Sequence, residues 1–191
     1  MKDIFIEVRW HGRGGQGVVT AGRLAAETAL LQGYYVQSFP EFGPERAGAP
    51  VRAYTRISNK PIRIHYQVLS PDYVVILDPT LIGNPDLKAG LKETTKVIVN
   101  APEELYENVR NFFEGYETYV VDATKISIDV FGRNLPNTPM VAAFFKISGV
   151  VDRENFEKTV LSWFEERLGK DLAEKNVEVA KRTWDEVKKL E

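Results

Sequence analysis

The sequence predicts a three-layer α/β/α domain on a mostly parallel, mixed sheet, with an inserted β-hairpin and helices at the C-terminal end. Three observations carry this. DYVVILD (72–78), KVIVN (96–100) and TYVVDAT (118–124) are short, almost continuous apolar runs, the pattern of parallel strands covered on both faces. Residues 4–39 read strand, glycine-rich loop, helix, strand. From Asp152 onward the apolar period changes to that of helices.

The elements follow in order. IFIEVRW (4–10) alternates with period two and ends at the glycine loop. A helix of about residues 16–32 is expected next, with Val19, Leu24, Ala26 and Leu30/Leu31 on its apolar side and Gly33 as its stop. YYVQSF (34–39) is the second strand, and a crossover of this kind is right-handed and runs its strands parallel. PEFGPERAGAP (40–50) has three prolines and two glycines and excludes regular structure. VRAYTRIS and PIRIHYQVL flank Ser58-Asn59-Lys60 as an antiparallel hairpin. Helix-length spacers separate the apolar strands, and Pro102 with Glu103 and Glu104 marks one helix start. Thr138 as cap, Pro139 at the first position and Gly149 as the stop bound another helix. The remainder is helical to the end, with Phe156, Val160 and Trp163/Phe164 on one apolar face and Leu172, Val177, Ala180, Trp184 and Val187 on another. A single domain over residues 1–191 is expected, its helical part beginning at about 152.

Composition narrows the function. The chain has 191 residues, 43% of them hydrophobic, and a net charge of −2, so it is not a globally basic nucleic-acid binder. Residues 1–60 hold 8 Lys+Arg against 5 Asp+Glu, which places the positive excess around the glycine loop. With no cysteine the chain ligates no iron–sulfur cluster and uses no thiolate nucleophile. His11 and His65 are too few for a zinc site without carboxylates, and no metal site is expected. His11 reads as a strand-end residue rather than a base, and no catalytic residue is assigned. The N-terminus lacks a signal peptide's apolar core, and no apolar stretch is as long as a membrane span. A cytoplasmic protein with no membrane contact is expected.

The candidate site is the loop itself. Gly12, Gly14 and Gly17 fit Gly-x-Gly-x-x-Gly between a strand and a helix, where glycines let the backbone approach a pyrophosphate at the helix start. Alone this favours a stand-alone NAD-binding oxidoreductase. Against it, Gly15 and Gln16 make the loop Gly-Arg-Gly-Gly-Gln-Gly, and the second strand ends in Ser38-Phe39-Pro40 without the acid that would hold a ribose. A second loop starts where that strand ends. There Arg46 and Arg52 can join Arg13 on one anionic ligand, while Phe42, Gly43, Pro44, Glu45 and Gly48 form an interface.

HGRGGQG, FGPERAGAPV about thirty residues on, and Asn137-Thr138-Pro139-Met140 together resemble the gamma subunits of the 2-oxoacid:ferredoxin oxidoreductases, pyruvate:ferredoxin oxidoreductase in particular, over roughly residues 4–185. The resemblance implies oxidative decarboxylation of a 2-oxoacid to acyl-CoA with reduction of ferredoxin. It implies alpha, beta and delta subunits as partners, with thiamine diphosphate, magnesium and 4Fe–4S clusters held by those chains. For this chain it implies a part in coenzyme A handling and subunit packing through Gly12, Arg13, Gly14, Gly15, Gln16, Gly17, Arg46 and Arg52, and an isolated chain without activity. A scaffold subunit with no ligand of its own is the third reading.

Overall fold

A computed structural model describes residues 3–41 and 48–191. Seven strands form one mixed sheet in the order β2-β3-β1-β4-β5-β6-β7. They are β1 (Phe5–Arg13), β2 (Tyr35–Pro40), β3 (Pro50–Ser58), β4 (Tyr73–Ile76), β5 (Lys96–Asn100), β6 (Glu117–Val121) and β7 (Lys188–Lys189). The apolar runs pair in parallel as expected, β1 with β4, β4 with β5 and β5 with β6. The helices are α1 (Val18–Leu31), α2 (Tyr106–Phe112), α3 (Ala123–Phe131), α4 (Asn137–Ser148), α5 (Arg153–Leu168) and α6 (Lys170–Glu186).

The expected hairpin of residues 51–58 with 61–69 does not form. β3 is antiparallel to β1 on one side and to β2 on the other, so both of its hydrogen-bonding edges are taken and residues 61–69 have none to join. The antiparallel hairpin is β2–β3, closed through the second loop. Residues 61–69 instead cross the sheet without strand structure, held where Gln37 Nε2 donates to Ile64 O (2.9 Å) and Arg56 Nη2 to Tyr66 O (2.6 Å). β1 and β2 run in the same direction, but β3 lies between them.

Other boundaries shift for local reasons. Residues 79–88 contain two short 3-10 turns rather than a helix, each opened by a proline and capped by the side chain of Asp78 or Asn84. α3 begins at Ala123, inside the run read as strand to 124, because the Asp122 carboxylate accepts from Lys125 N (2.8 Å) and caps it. α4 starts at Asn137 without a side-chain cap: Thr138 is buried and its hydroxyl donates to Asn176 Oδ1 (2.8 Å). Gly149 ends that helix in the left-handed region (φ 66°) as expected. The C-terminal part is two antiparallel helices, as the Arg153–Asp185 pair (2.6 Å) between the start of α5 and the end of α6 requires. It is not helical to the end, because Lys188 and Lys189 add β7 to the edge of β6.

Strand alternation divides the core between the sheet's two faces. On one face Val8, Trp10, Ala53, Val75 and Ile98 pack under α1 and α3–α6, with Trp10, Phe144, Phe145 and Phe156 in successive ring contact. On the other, Val74, Ile76, Val97, Val99 and Val120 lie under α2 and the turns, which form a thinner third layer. Leu30 and Leu31, expected on the apolar side of α1, are 54% and 65% exposed; Leu30 falls on the helix face of Arg23 and Glu27, away from the core.

Candidate functional site at the sheet's switch point

The chain leaves β1 through α1 on one face of the sheet and leaves β4 through the turns on the other. The carboxyl ends of β1 and β4 therefore diverge, and a crevice opens between them where open α/β sheets bind ligands. The predicted glycine loop lies there. β3 holds β1 in strand pairing as far as Gly12 and Arg13, three residues beyond the expected end. Gly12 is buried. A Cβ on it would stand 2.6 Å from Val18 Cγ2 and 3.3 Å from Leu77 Cβ, so the loop turns there only without a side chain. Gly12→Ala is accordingly expected to cost about 1–3 kcal/mol in denaturant unfolding; a cost under 0.5 kcal/mol, the ordinary range for harmless substitutions, would contradict the close approach. Gly17 opens α1 at φ 76°, where a side chain would be strained.

Asp78, just past β4, organises the crevice. Its Oδ1 accepts from Thr80 N (2.8 Å) and Thr80 Oγ1 (2.7 Å), and its Oδ2 from Gln16 Nε2 (2.6 Å). Gln16 Oε1 accepts from Arg13 N (2.7 Å), so this side chain bridges the two strand ends rather than capping α1. The Arg13 guanidinium donates to Thr80 Oγ1 (3.0 Å) and Gly48 O (3.0 Å) and lies 3.4 Å from Asp78 Oδ2. Gly14 N donates to Ala49 O (3.2 Å). The glycine loop and the end of the second loop are thereby bound to each other. Beside Thr80 a groove of about 520 Å³ runs between Ile82, Gly83, Asn108 and Phe112.

The predicted residues Gly12, Arg13, Gly14, Gly15, Gln16, Gly17 and Gly48 thus share one site. Arg52 stands on β3 opposite His11, and its charge is met by Glu41 at 3.1 Å. Phe42, Gly43, Pro44, Glu45 and Arg46 lie outside the described residues. Sequence reasoning missed Asp78 and Thr80. The signal for them was an acid followed by Pro-Thr at the carboxyl end of an apolar run. Among the described residues no group of His, Asp and Glu is arranged to hold a metal ion, and no helix is long and apolar enough to cross a membrane.

Next to the crevice His11 is buried as a neutral acceptor. Arg9 Nε donates to His11 Nε2 (2.9 Å), while its terminal nitrogens donate to Ala89 O (2.8 Å) and Leu87 O (3.1 Å). Burial, then Arg9 and Arg52, hold the His11 pKa well below its ordinary value. A histidine with a depressed folded-state pKa stabilises the fold above its unfolded pKa of about 6.5 and loses that contribution as pH falls. Stability of the chain should drop by up to about 1.4 kcal/mol per pH unit below about pH 6.5, and His11→Gln should flatten that slope. Equal slopes in urea titrations of the two proteins would refute the assignment.

Against known proteins, residues 7–186 match the family described as Pyruvate ferredoxin/flavodoxin oxidoreductase. The chain is 45% identical to the Pyruvate/ketoisovalerate oxidoreductases common subunit gamma of Pyrococcus furiosus, over 97% of this chain and 99% of that one. It is 42% identical to Pyruvate synthase subunit PorC of Methanocaldococcus jannaschii, over 96% and 98%. The crystal structure of pyruvate oxidoreductase subunit PORC from Thermotoga maritima superposes with a TM-score of 0.85 at 38% identity, covering all of both chains. The fold alone is shared with 2-oxoglutarate:ferredoxin oxidoreductase of Magnetococcus marinus, solved with 2-oxoglutarate, coenzyme A and succinyl-CoA bound. That match has a TM-score of 0.73 at 17% identity over 97% of this chain and 32% of that one. The NAD reading gains nothing from these relatives, and β3 removes the end of β2 from beside the glycine loop, where a ribose-holding acid would have to stand. The chain belongs to the pyruvate ferredoxin/flavodoxin oxidoreductase family, among its gamma subunits.

Proposed function

We propose that the chain serves a multi-subunit pyruvate or related 2-oxoacid:ferredoxin oxidoreductase by presenting the glycine crevice to coenzyme A and to the companion subunits. The observation that carries this is the mutual locking of two loops at the switch point, through Arg13 to Gly48 and Gly14 to Ala49. α1 begins there with no side-chain cap, so its first-turn N–H groups face the crevice end as donors for an outside anion such as a pyrophosphate. Arg13 is committed to Asp78, Thr80 and Gly48, so its part is to brace the loop rather than to meet the ligand first. Arg46 is the cation proposed to reach coenzyme A or a partner chain. A cysteine-free chain leaves the clusters to other subunits, and thiamine diphosphate with its magnesium is assigned to them as well.

The test is reconstitution with the alpha, beta and delta chains, followed by equilibrium binding of coenzyme A. Arg46→Ala should weaken coenzyme A binding or subunit association by about tenfold or more, the scale of a lost charge-assisted hydrogen bond. Wild-type values for both would reject the loop assignment, and turnover by the isolated chain would reject the subunit role.

A further inference from the structure

A second pocket, of about 320 Å³, opens on the helical side of the molecule among α1, the α3–α4 connection, α5 and α6. Its walls are apolar, from Phe131, Leu135, Phe164, Leu168 and Leu172. Three donors stand among them. Trp163 Nε1 is the one buried side-chain polar atom among the described residues that has no hydrogen-bond partner. The Asn137 amide and the Arg133 guanidinium, both lining the pocket, also have no partner among the described residues. The second cation, Arg167, is already engaged: it stacks 4.2 Å over the Trp163 ring and lies 3.6 Å from Glu27. An orphaned buried N–H is costly, and a concave apolar pocket with a few unmet donors is the form of a small-molecule site.

We propose that this pocket binds a small amphipathic carboxylate, its branched or aromatic body against Phe131, Leu135 and Leu168 and its carboxylate accepting from Trp163, Asn137 and Arg133. The unpaired Arg133 guanidinium favours an anion over a neutral alcohol, and the apolar walls suit a compact apolar body. The pocket adjoins the coenzyme A site at one point, where Asn137 packs against Gly17, but Arg133 and Trp163, the residues the test reads, lie outside the crevice cluster around Asp78.

The test uses the full chain labelled with nitrogen-15 and titrated with phenylacetate, acetate and 2-phenylethanol. With three tryptophans the indole signals are few, and Trp163→Phe identifies the one that matters while keeping an aromatic ring. Phenylacetate should shift the Trp163 indole signal saturably. 2-Phenylethanol, acetate, and phenylacetate on Arg133→Ala should each bind about tenfold more weakly or worse. Absence of a saturable shift at millimolar phenylacetate, equal binding of the alcohol, or unaltered binding by Arg133→Ala would overturn the proposal. So would a Trp163 shift caused by adding the companion subunits that abolishes phenylacetate binding, since the pocket would then belong to a subunit contact.

Discussion

Trp10→Ala should lower the stability of the chain by about 3–5 kcal/mol, the range for deleting a large buried aromatic. Trp10 is fully buried in the middle of β1, where it packs edge-on against Phe144 of α4 with ring centroids 5.6 Å apart. Its indole N–H donates to Thr55 Oγ1 on β3 (3.0 Å), and Thr55 Oγ1 in turn donates to Gly22 O of α1 (3.0 Å). One side chain therefore ties β1 to its neighbour β3 and to α1 and α4 above it. The approach of α1 is close: a Cβ at Gly22 would lie 3.3 Å from Ser38 Oγ and from Thr55 Oγ1, so the helix has no room to settle into the hole that alanine leaves. Trp10→Phe keeps most of the packing and loses the hydrogen bond, and should cost about 1–2 kcal/mol. For a chain of this size the alanine change corresponds to a fall in melting temperature of about 10 °C. Calorimetry and denaturant unfolding measure both variants; a cost below 1 kcal/mol for Trp10→Ala would mean that the contact carries little of the core.

The parallel strands were legible because both of their faces are buried, which leaves an unbroken apolar run in the sequence. The pairing of β3 was not. Arg52, Tyr54 and Arg56 alternate with Ala53, Thr55 and Ile57 as in any half-buried strand, and nothing local says which neighbour takes each edge. Arg56 shows the difficulty: it is fully buried on the side opposite α1, between Glu7 at 2.8 Å and the rings of Phe39 and Tyr66, and in the sequence it looks like a solvated charge. α3 was hidden because its first turn, Ala123–Ile126, continues the composition of β6, and only the Asp122 cap separates them. For the site, glycine punctuation revealed Gly12 to Gly17 directly, since close backbone approach leaves a trace in residue type. Asp78 left only a local trace, the acid before Pro-Thr at the end of an apolar run, because its partners Gln16 and Arg13 are more than sixty residues away and meet it only through the parallel pairing of β1 with β4.

That same distance makes Asp78 the sharpest test of the crevice. Its carboxylate accepts from Gln16 and Thr80 and faces Arg13, so Asp78→Ala leaves an amide, a backbone N–H and a guanidinium without their common acceptor. Arg13 is partly exposed and can turn to water, which limits the loss of stability to about 1–3 kcal/mol. The functional loss should be larger than this suggests. With Arg13 released, its hold on Gly48 weakens and the second loop, which carries Arg46, is tied to the glycine loop only through Gly14 N to Ala49 O and the β1–β3 pairing. Coenzyme A binding or subunit association in the reconstituted complex should fall by about tenfold or more. Asp78→Asn separates shape from charge: the amide oxygen can still accept from Thr80, while the attraction to Arg13 is gone, so an intermediate loss is expected. Because Asp78 and Arg13 act within one brace, Arg13→Ala combined with Asp78→Ala should be hardly worse than either change alone. If the two losses instead add in full, or if Asp78→Ala destabilises the chain without touching either function, the brace serves only the fold and the ligand or partner must meet the chain elsewhere.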